Sequence, residues 1–143
     1  MSGIYDNHGI RFEYPDDWEA GESDGDSPAI VTVQSPDGLA FAIVTSDADR
    51  PDPASMADEA ILVMRAEYSD LEVTPSIDTI NGQPASGFEL EFIALNMVNS
   101  CTIHVYRTPR RSIMLFRQWA EIATDESEEA LRTMGLTLEE TDS

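Results

Sequence analysis

The stretch that decides the fold is residues 71–122, whose sequence is LEVTPSIDTINGQPASGFELEFIALNMVNSCTIHVYRTPRRSIMLFRQWAEI. It contains four β-rich runs: Glu72 to Ile80, Gly87 to Met97, Thr102 to Arg107 and Ser112 to Ile122. Between the first two lie the turn residues Asn81-Gly82-Gln83-Pro84. Runs joined by connections this short pair antiparallel with their neighbours. We therefore predict an antiparallel sheet across the whole stretch.

The spacing of apolar residues predicts which faces of these strands are buried. Residues Phe88 to Phe92 alternate between apolar residues and glutamate, which is typical of one buried and one exposed face. Glu89 and Glu91 should then share the exposed face. Ile113-Met114-Leu115-Phe116 shows no alternation, so both of its faces should be covered, and we predict a central strand there.

The residues before this stretch predict three more strands. Ile10 to Tyr14 alternates and is ended by Pro15. An Asp16-Asp17-Trp18 turn and an acidic loop through Asp26 should follow. Ala29 to Ser35 and Leu39 to Ser46 are β-rich and flank Pro36-Asp37-Gly38, which is typical of a hairpin turn.

Two helices are predicted, one on each side of the long stretch. Ser55 is placed to cap the first, and the second should begin at Thr124 or Asp125 and end near Gly135. The first helix carries one apolar stripe, formed by Ala57, Ile61, Met64, Tyr68 and Leu71.

These elements predict an α+β fold, an antiparallel sheet of about six or seven strands with helices packed on its faces. The length of 143 residues suits a single domain, with an ordered core of about 9–138 and fraying from Glu139 to Ser143. One core should contain the aromatic residues Phe12, Trp18, Phe88, Phe92 and Phe116.

The charge of the chain excludes some classes of partner. Twenty-eight acidic residues stand against eight basic ones, all arginine, which gives a net charge of −20. Nucleic acids and anionic membranes bind through cationic side chains, so neither is an expected partner. The excess acid fits either a well-solvated surface encoded by a GC-rich genome or adaptation to high intracellular salt.

The start of the chain and its cysteine content bear on location. Met1 to Asp6 lacks the basic and apolar segments of a secretory signal, so a cytoplasmic protein is expected. Cys101 is the single cysteine, which agrees with a reducing compartment. A monomer or weak homodimer is expected.

Three segments of the chain resemble the PsbP-like superfamily. They are Ile10-Arg11-Phe12-Glu13-Tyr14-Pro15-Asp16-Asp17-Trp18, Ser35-Pro36-Asp37-Gly38, and Ile80-Asn81-Gly82-Gln83-Pro84-Ala85. The superfamily includes the extrinsic PsbP subunit of photosystem II, a yeast nuclear-import factor that binds Ran, the lipoprotein DcrB and chaperones of type VI secretion effectors. The resemblance implies an α/β/α sandwich and functions in docking, assembly or chaperoning. It rests on structural positions, none of them catalytic in the superfamily.

Candidate metal ligands in the chain are few. Asp47 to Asp58 resembles a calcium loop, but Asp52 stands where the sharp turn needs glycine, and the bidentate glutamate at the end of the loop is missing. Cys101 and His104 are three residues apart in a strand and should point to opposite faces. No metal or cofactor is therefore expected.

Catalysis is not expected either. The chain has no nucleophile elbow and no glycine-rich phosphate loop. Glu89 and Glu91 could serve as an acid–base pair, although a solvated sheet face is the commoner role for such residues.

The candidate partner-binding residues are Arg107, Arg110, Arg111 and Arg117, half of the positive charge in eleven residues. Arg110 and Arg111 follow Pro109 in a turn and should be exposed. The set serves either internal charge balance or docking of an acidic partner. Trp18 and Trp119 are similarly either core residues or interface anchors.

These observations predict a non-enzymatic protein-binding domain, an adaptor or chaperone-like assembly factor. The alternative is a small-molecule-binding protein or hydrolase with a pocket between sheet and helix.

Overall fold

A computed structural model of the chain describes residues 2–23 and 28–141. Within them the strands are β1 (Ser2–Asn7), β2 (Ile10–Pro15), β3 (Glu19–Glu22), β4 (Ala29–Gln34), β5 (Ala40–Asp47), β6 (Glu72–Ile80), β7 (Gln83–Ala94), β8 (Met97–Arg107), β9 (Ser112–Ala120) and β10 (Glu139–Glu140). The helices are α1 (Pro53–Glu67) and α2 (Asp125–Thr137).

The main sheet has seven antiparallel strands in the order β3-β4-β5-β9-β8-β7-β6. The predicted α+β class is confirmed, and β9 is the central strand, as the unbroken apolar run predicted. Helix α1 packs on one face of the sheet and α2 on the other. We call these the α1 face and the α2 face. A second sheet, of order β1-β2-β10, packs with α2.

The sheet divides the apolar interior into two cores. The core on the α1 face contains Phe92 and Phe116 with Phe88 packed against it, whereas the core on the α2 face contains Phe12 and Trp18. The prediction of one core holding all five aromatic residues is therefore wrong. The reason is that Phe12 and Trp18 belong to β2 and to the turn after it, which pack on the α2 face, whereas Phe88, Phe92 and Phe116 all point to the α1 face of the main sheet.

Two tight turns join the strands that carry the candidate site. Asn81 and Gly82 have φ values of 47° and 83° and form the predicted turn between β6 and β7. Leu95 and Asn96, with φ values of 54° and 61°, form a second such turn between β7 and β8. The sequence predicted one unbroken run through Met97, because leucine gives no turn signal.

The helix boundaries differ in detail from the prediction. Asp52 caps α1 and its carboxylate accepts a hydrogen bond from the Ser55 backbone at 3.3 Å, because Pro53 suits the first helical position. Thr124 caps α2, accepting from the Ser127 backbone at 3.1 Å. Gly135 lies inside α2, not at its end, and is buried.

Both ends of the chain form strands beyond the predicted ordered core. The first, β1, pairs with β2. Glu139 and Glu140 were predicted to fray but pair with β2, and they are also bonded by Arg11 at 3.4 Å and Arg111 at 2.9 Å. Strand β3 occupies part of the predicted acidic loop, since edge pairing requires no apolar pattern. Residues 24–26 of that loop lie outside the described residues.

Candidate functional site

The four predicted arginines do not share one surface. Arg107, Arg110 and Arg111 lie at the β8–β9 hairpin, where Arg107 pairs with Ser112. Arg117 is five residues further along β9, which is about 17 Å in a strand. It lies on the α2 face, paired with Thr102. Only Arg107 and Arg110 are exposed.

Arg111 binds within the protein, although the sequence predicted an exposed side chain. Its guanidinium donates to Glu140 at 2.9 Å, to the carbonyl of His8 at 2.7 Å and to the Ser46 hydroxyl at 3.1 Å. Arg107 donates to the carbonyl of Arg50 at 2.6 Å. These bonds attach the hairpin to the second sheet, to β5 and to the loop before α1.

Arg117 connects the main sheet to α2. It is buried, and its guanidinium donates to Thr102 at 3.2 Å and to the carbonyl of Leu131 in α2 at 3.3 Å. The Asp78 carboxylate lies 3.5 Å away. Burial lowers the pKa of Arg117, while Asp78 favours the charged form. Gly135 permits this arrangement, because a Cβ atom there would lie 2.6 Å from Nη1 of Arg117.

An acidic groove lies on the α2 face of strands β6 to β9. Its volume is about 350 Å³, and it is lined by Glu72, Thr74, Glu89, Glu91, Ser100, Thr102 and Trp119, together with Leu90 and Cys101, whose side chains point to the α1 face. The cross-strand pairing places Glu72 opposite Glu91, then Glu91 opposite Ser100, and Ser100 opposite Trp119, in one row across four strands. Glu89 and Thr102 lie in the next row. Since opposite residues share a face, these side chains converge on the same surface.

A smaller pocket continues this groove towards α2. It has a volume of about 230 Å³ and shares Thr102 and Trp119 with the acidic groove. Its remaining lining residues are Asp78, Arg117, Glu128, Leu131 and Arg132. Trp119 is half-buried and forms a wall of both spaces, whereas Trp18 is buried in the core.

Exposed apolar side chains adjoin the other end of the acidic groove. Ile93 and Val98 are paired on the α2 face, one row beyond Glu91 and Ser100. Leu95 is 90% exposed in the turn. Ile122 is brought alongside by the bond from the Glu121 backbone to the carbonyl of Val98 at 2.9 Å, and it is 61% exposed. We call Ile93, Leu95, Val98 and Ile122 the apolar tip.

The sequence reasoning found Glu89, Glu91 and Trp119 but missed the apolar tip and Glu72. Asn96, a turn-forming residue inside an apolar run, was the available signal for the tip. For Glu72, the signal was the two-residue turn at Asn81-Gly82, which fixes the register of β6 against β7.

His104 and Cys101 lie on opposite faces, as the strand period predicted. Cys101 is buried in the core of the α1 face, and burial raises the pKa of its thiol, which disfavours a reactive thiolate. His104 is buried on the α2 face, with Nε2 3.2 Å from the Ser76 hydroxyl, and its Nδ1 finds no hydrogen-bond partner among residues 2–23 and 28–141. In a catalytic triad, that second nitrogen is held by a carboxylate or carbonyl, and no described residue supplies such a group to this pair.

The predicted calcium-like segment does not gather its carboxylates around a common point. Among residues 2–23 and 28–141, no three His, Cys, Asp or Glu side chains are placed to hold a metal ion. Asp47 accepts a hydrogen bond from the backbone of Asp49 at 2.9 Å, and Asp52 caps α1. Neither helix in the described part of the chain is long and apolar enough to cross a membrane.

Solved structures show which known fold the chain shares. It is similar to cyanobacterial PsbP (CyanoP) from Synechocystis sp. PCC 6803, with 14% identity and a TM-score of 0.64 over 97% of this chain and 92% of that one. LpqN of Mycobacterium tuberculosis, involved in cell envelope biogenesis, gives 15% identity and a TM-score of 0.55 over 99% and 91%. A protein of unknown function from Pseudomonas aeruginosa has 14% identity to this chain and a TM-score of 0.51, over 100% of this chain and 99% of that one.

The resemblance to PsbP-like proteins is thereby confirmed at the level of the fold. No sequence family matches the chain, and neither does any curated protein. Because identities near 14% show a shared fold and no more, function has to be argued from the surface of this chain.

Proposed function

We propose that this chain is a non-enzymatic protein-binding domain, an adaptor or chaperone-like factor, which docks its partner on the apolar tip and the adjoining acidic groove. The observation that carries the proposal is the unfavourable backbone conformation of the exposed Leu95. A two-residue hairpin turn of this type favours Asn, Asp or Gly, because both residues need positive φ. A branched apolar residue at φ 54° costs about 1–2 kcal/mol.

Leu95 gains no burial within the chain to offset that cost, since its side chain is 90% exposed. Three further exposed apolar side chains, those of the rest of the apolar tip, lie at the same end of the sheet. Clustered exposed apolar residues favour an interface, whereas single ones need no explanation. Local rules of folding are broken most often at functional sites. A docked protein would bury the tip and recover the lost stability.

The proposed test compares Leu95→Asn with Leu136→Asn, a control on α2 whose leucine is 60% exposed and distant from the tip in sequence. Leu95→Asn should keep or raise the melting temperature, because asparagine tolerates positive φ. It should weaken capture of the proteins held by the wild type by at least about thirtyfold, the effect of a 2 kcal/mol interface anchor. Quantitative mass spectrometry of proteins captured from the native cell measures this.

Equal capture by Leu95→Asn and Leu136→Asn would contradict docking at the tip. The β8–β9 hairpin is a second proposed surface, for an acidic partner, and Arg107 and Arg110 are its exposed charges. A variant with Arg107→Gln and Arg110→Gln tests this surface separately. We further propose a cytoplasmic location, supported by the single buried thiol of Cys101.

The rival function, binding or hydrolysis of a small molecule, would use a pocket between sheet and helix. One such space, of about 480 Å³, lies between α1 and the β6–β7 hairpin, and Asp58 is its one charged lining residue. A second is the pocket beside α2. At about 230 Å³ this pocket is smaller than the roughly 300–1,000 Å³ usual for ligand sites. Its most buried cation, Arg117, is already bonded to Thr102 and to the carbonyl of Leu131. The apolar tip therefore favours docking over this rival.

A further inference from the structure

The three carboxylates of the acidic groove lack internal partners. Glu72, Glu89 and Glu91 are exposed, and within the described residues none of them forms an ion pair or hydrogen bond. Glu72 and Glu91 lie directly opposite each other on adjacent strands. Like charges in that position destabilise a sheet. A cation bound between them would remove this repulsion.

The wall of the groove also suits a cation. Trp119 occupies the same row as Glu91, two strands away, at a separation of about 10 Å. The face of a tryptophan ring attracts cations, and arginine is the side chain most often found there. The planar guanidinium can pair with a carboxylate through two parallel hydrogen bonds while it stacks on an aromatic ring, which a lysine ammonium cannot do.

The groove is continuous with the apolar tip. The row containing Ile93 and Val98 adjoins the row containing Glu91 and Ser100. Adjacent rows on one face are two residues apart along a strand, which is about 7 Å. One short segment of a bound protein could therefore place an apolar side chain on the tip and a cationic side chain in the groove.

We propose that the acidic groove receives an arginine side chain from the partner, carried by the same segment whose apolar side chains cover the tip. This inference rests on the proposed function, because it assumes a partner on the tip. The partner segment is thus apolar and basic, with the two kinds of residue close together. Its arginine lies between Trp119 and the three glutamates, where the charges of chain and partner are complementary.

The test uses the full chain as bait for a random dodecapeptide library displayed on phage, in 0.15 M NaCl. The groove variant carries Glu72→Gln, Glu89→Gln and Glu91→Gln. Its control carries Asp16→Asn, Asp17→Asn and Glu19→Gln, which changes the net charge equally at exposed positions in and just before β3, at the opposite edge of the sheet. Leu95→Asn is the fourth bait.

The wild type and the control should select peptides enriched in arginine beside Leu, Ile or Phe. The groove variant should select the apolar residues without the arginine, and should melt no lower than wild type. For one selected peptide, replacing its arginine by glutamine should weaken binding to wild type about fivefold to tenfold, and should barely change binding to the groove variant.

The outcomes separate the two proposals. Apolar peptides without arginine, selected through Leu95, would overturn the groove inference and leave the proposed function standing. If Leu95→Asn selects the same peptides as wild type, docking at the tip is wrong. If arginine is lost equally from the peptides selected by the groove variant and by its control, the attraction depends on overall charge, and the inference is overturned. Failure to enrich any peptide, or self-association that the groove variant abolishes, would overturn it as well.

Discussion

Leu95 and Asn96 adopt the same left-handed backbone conformation, with φ values of 54° and 61°. Asparagine is stabilised there because its short side chain bonds to nearby backbone, whereas leucine is not. The turn therefore contains one residue chosen for local geometry and one that opposes it. The opposing residue, Leu95, is also the most exposed large apolar side chain in the described part of the chain.

His104 is a buried residue with an unsatisfied polar atom. Its Nδ1 has no hydrogen-bond partner in the described part of the chain, and its Nε2 contacts the Ser76 hydroxyl. Burial, and then the nearby Arg117, lower the pKa of His104, while Asp78 and Glu89 act in the opposite direction. The folded protein thus favours the neutral imidazole.

This environment predicts a dependence of stability on pH. Because the folded pKa lies below the ordinary value of 6.5, the unfolded chain binds more protons as the pH falls below about 6.5. His104 therefore contributes its full stability above that pH and loses it as the pH falls through the folded pKa. The free energy of unfolding of the protein with His104 intact, measured in urea, should therefore exceed that of the His104→Gln variant, and the difference should be larger at pH 7.5 than at pH 5.5.

The comparison is made in a His8→Asn background, which removes the other imidazole and suits the positive φ of 52° at that position. If the difference between the two proteins is the same at both pH values, or grows towards acid, His104 is charged in the folded state.

At the scale of secondary-structure elements, α2 is attached to the main sheet by one arginine as well as by apolar packing. Arg117 reaches from β9 to the carbonyl of Leu131, passing beside Gly135. Glycine is normally unfavourable inside a helix. Its presence in α2 is explained by the space that the guanidinium needs.

Gly135→Ala should therefore destabilise the protein, although the same change in an exposed helix interior stabilises by about 1 kcal/mol. The added Cβ would displace the guanidinium from Leu131 and Asp78. With Arg117→Thr present, the clash is absent and Gly135→Ala should become neutral or stabilising. Urea unfolding of the four proteins should give a coupling energy of about 1–3 kcal/mol between the two sites. Equal effects of Gly135→Ala in both backgrounds would mean that the arginine does not occupy this space.

The parts of the fold that the sequence predicted are those with a strict period. Alternation placed Glu89 and Glu91 on one face, and its absence placed Phe116 in a central strand. The turn hidden by Leu95 caused the main error, because it determines where β8 begins. The start of β8 sets which of its residues lies between Glu91 and Trp119. The sequence therefore did not predict that Trp119 shares a row with the glutamates of the acidic groove.

The arginine set fails for a related reason. Arg107 and Arg117 are close in sequence, but a hairpin lies between them and five residues of strand follow it. Closeness along the chain predicts a shared surface only where the backbone does not reverse. Arg111 was predicted to be exposed because it follows a turn, yet β10 and the β1–β2 turn provide its acceptors from more than 25 residues away.

For the whole molecule, the acidic side chains far outnumber the cations that could neutralise them. The two cores bury apolar side chains on both faces of the sheet. The chain has 28 acidic residues and eight arginines, so its net charge of −20 remains even if every arginine binds one acid. Repulsion between these carboxylates opposes the compact state.

Stability should consequently rise with sodium chloride. Added salt shortens the Debye length from about 30 Å at 0.01 M to about 10 Å at 0.1 M and about 3 Å at 1 M, which weakens repulsion between exposed charges. A protein with an ordinary solvated surface should gain a modest increase in melting temperature that saturates by a few tenths molar. A protein adapted to high salt should continue to gain into the molar range and unfold partly in dilute buffer.

Thermal unfolding in sodium chloride from 0.01 to 2 M distinguishes these cases, whereas sulfate would also strengthen apolar burial and confuse the cause. The groove variant provides an internal check, because Glu72 and Glu91 are opposed at close range. Removing that pair should raise the melting temperature more in 0.01 M salt than in 1 M salt, and by more than the control with Asp16→Asn, Asp17→Asn and Glu19→Gln. A melting temperature independent of salt in all three proteins would mean that the arginines neutralise the acidic surface locally, against the pairing that the structure describes.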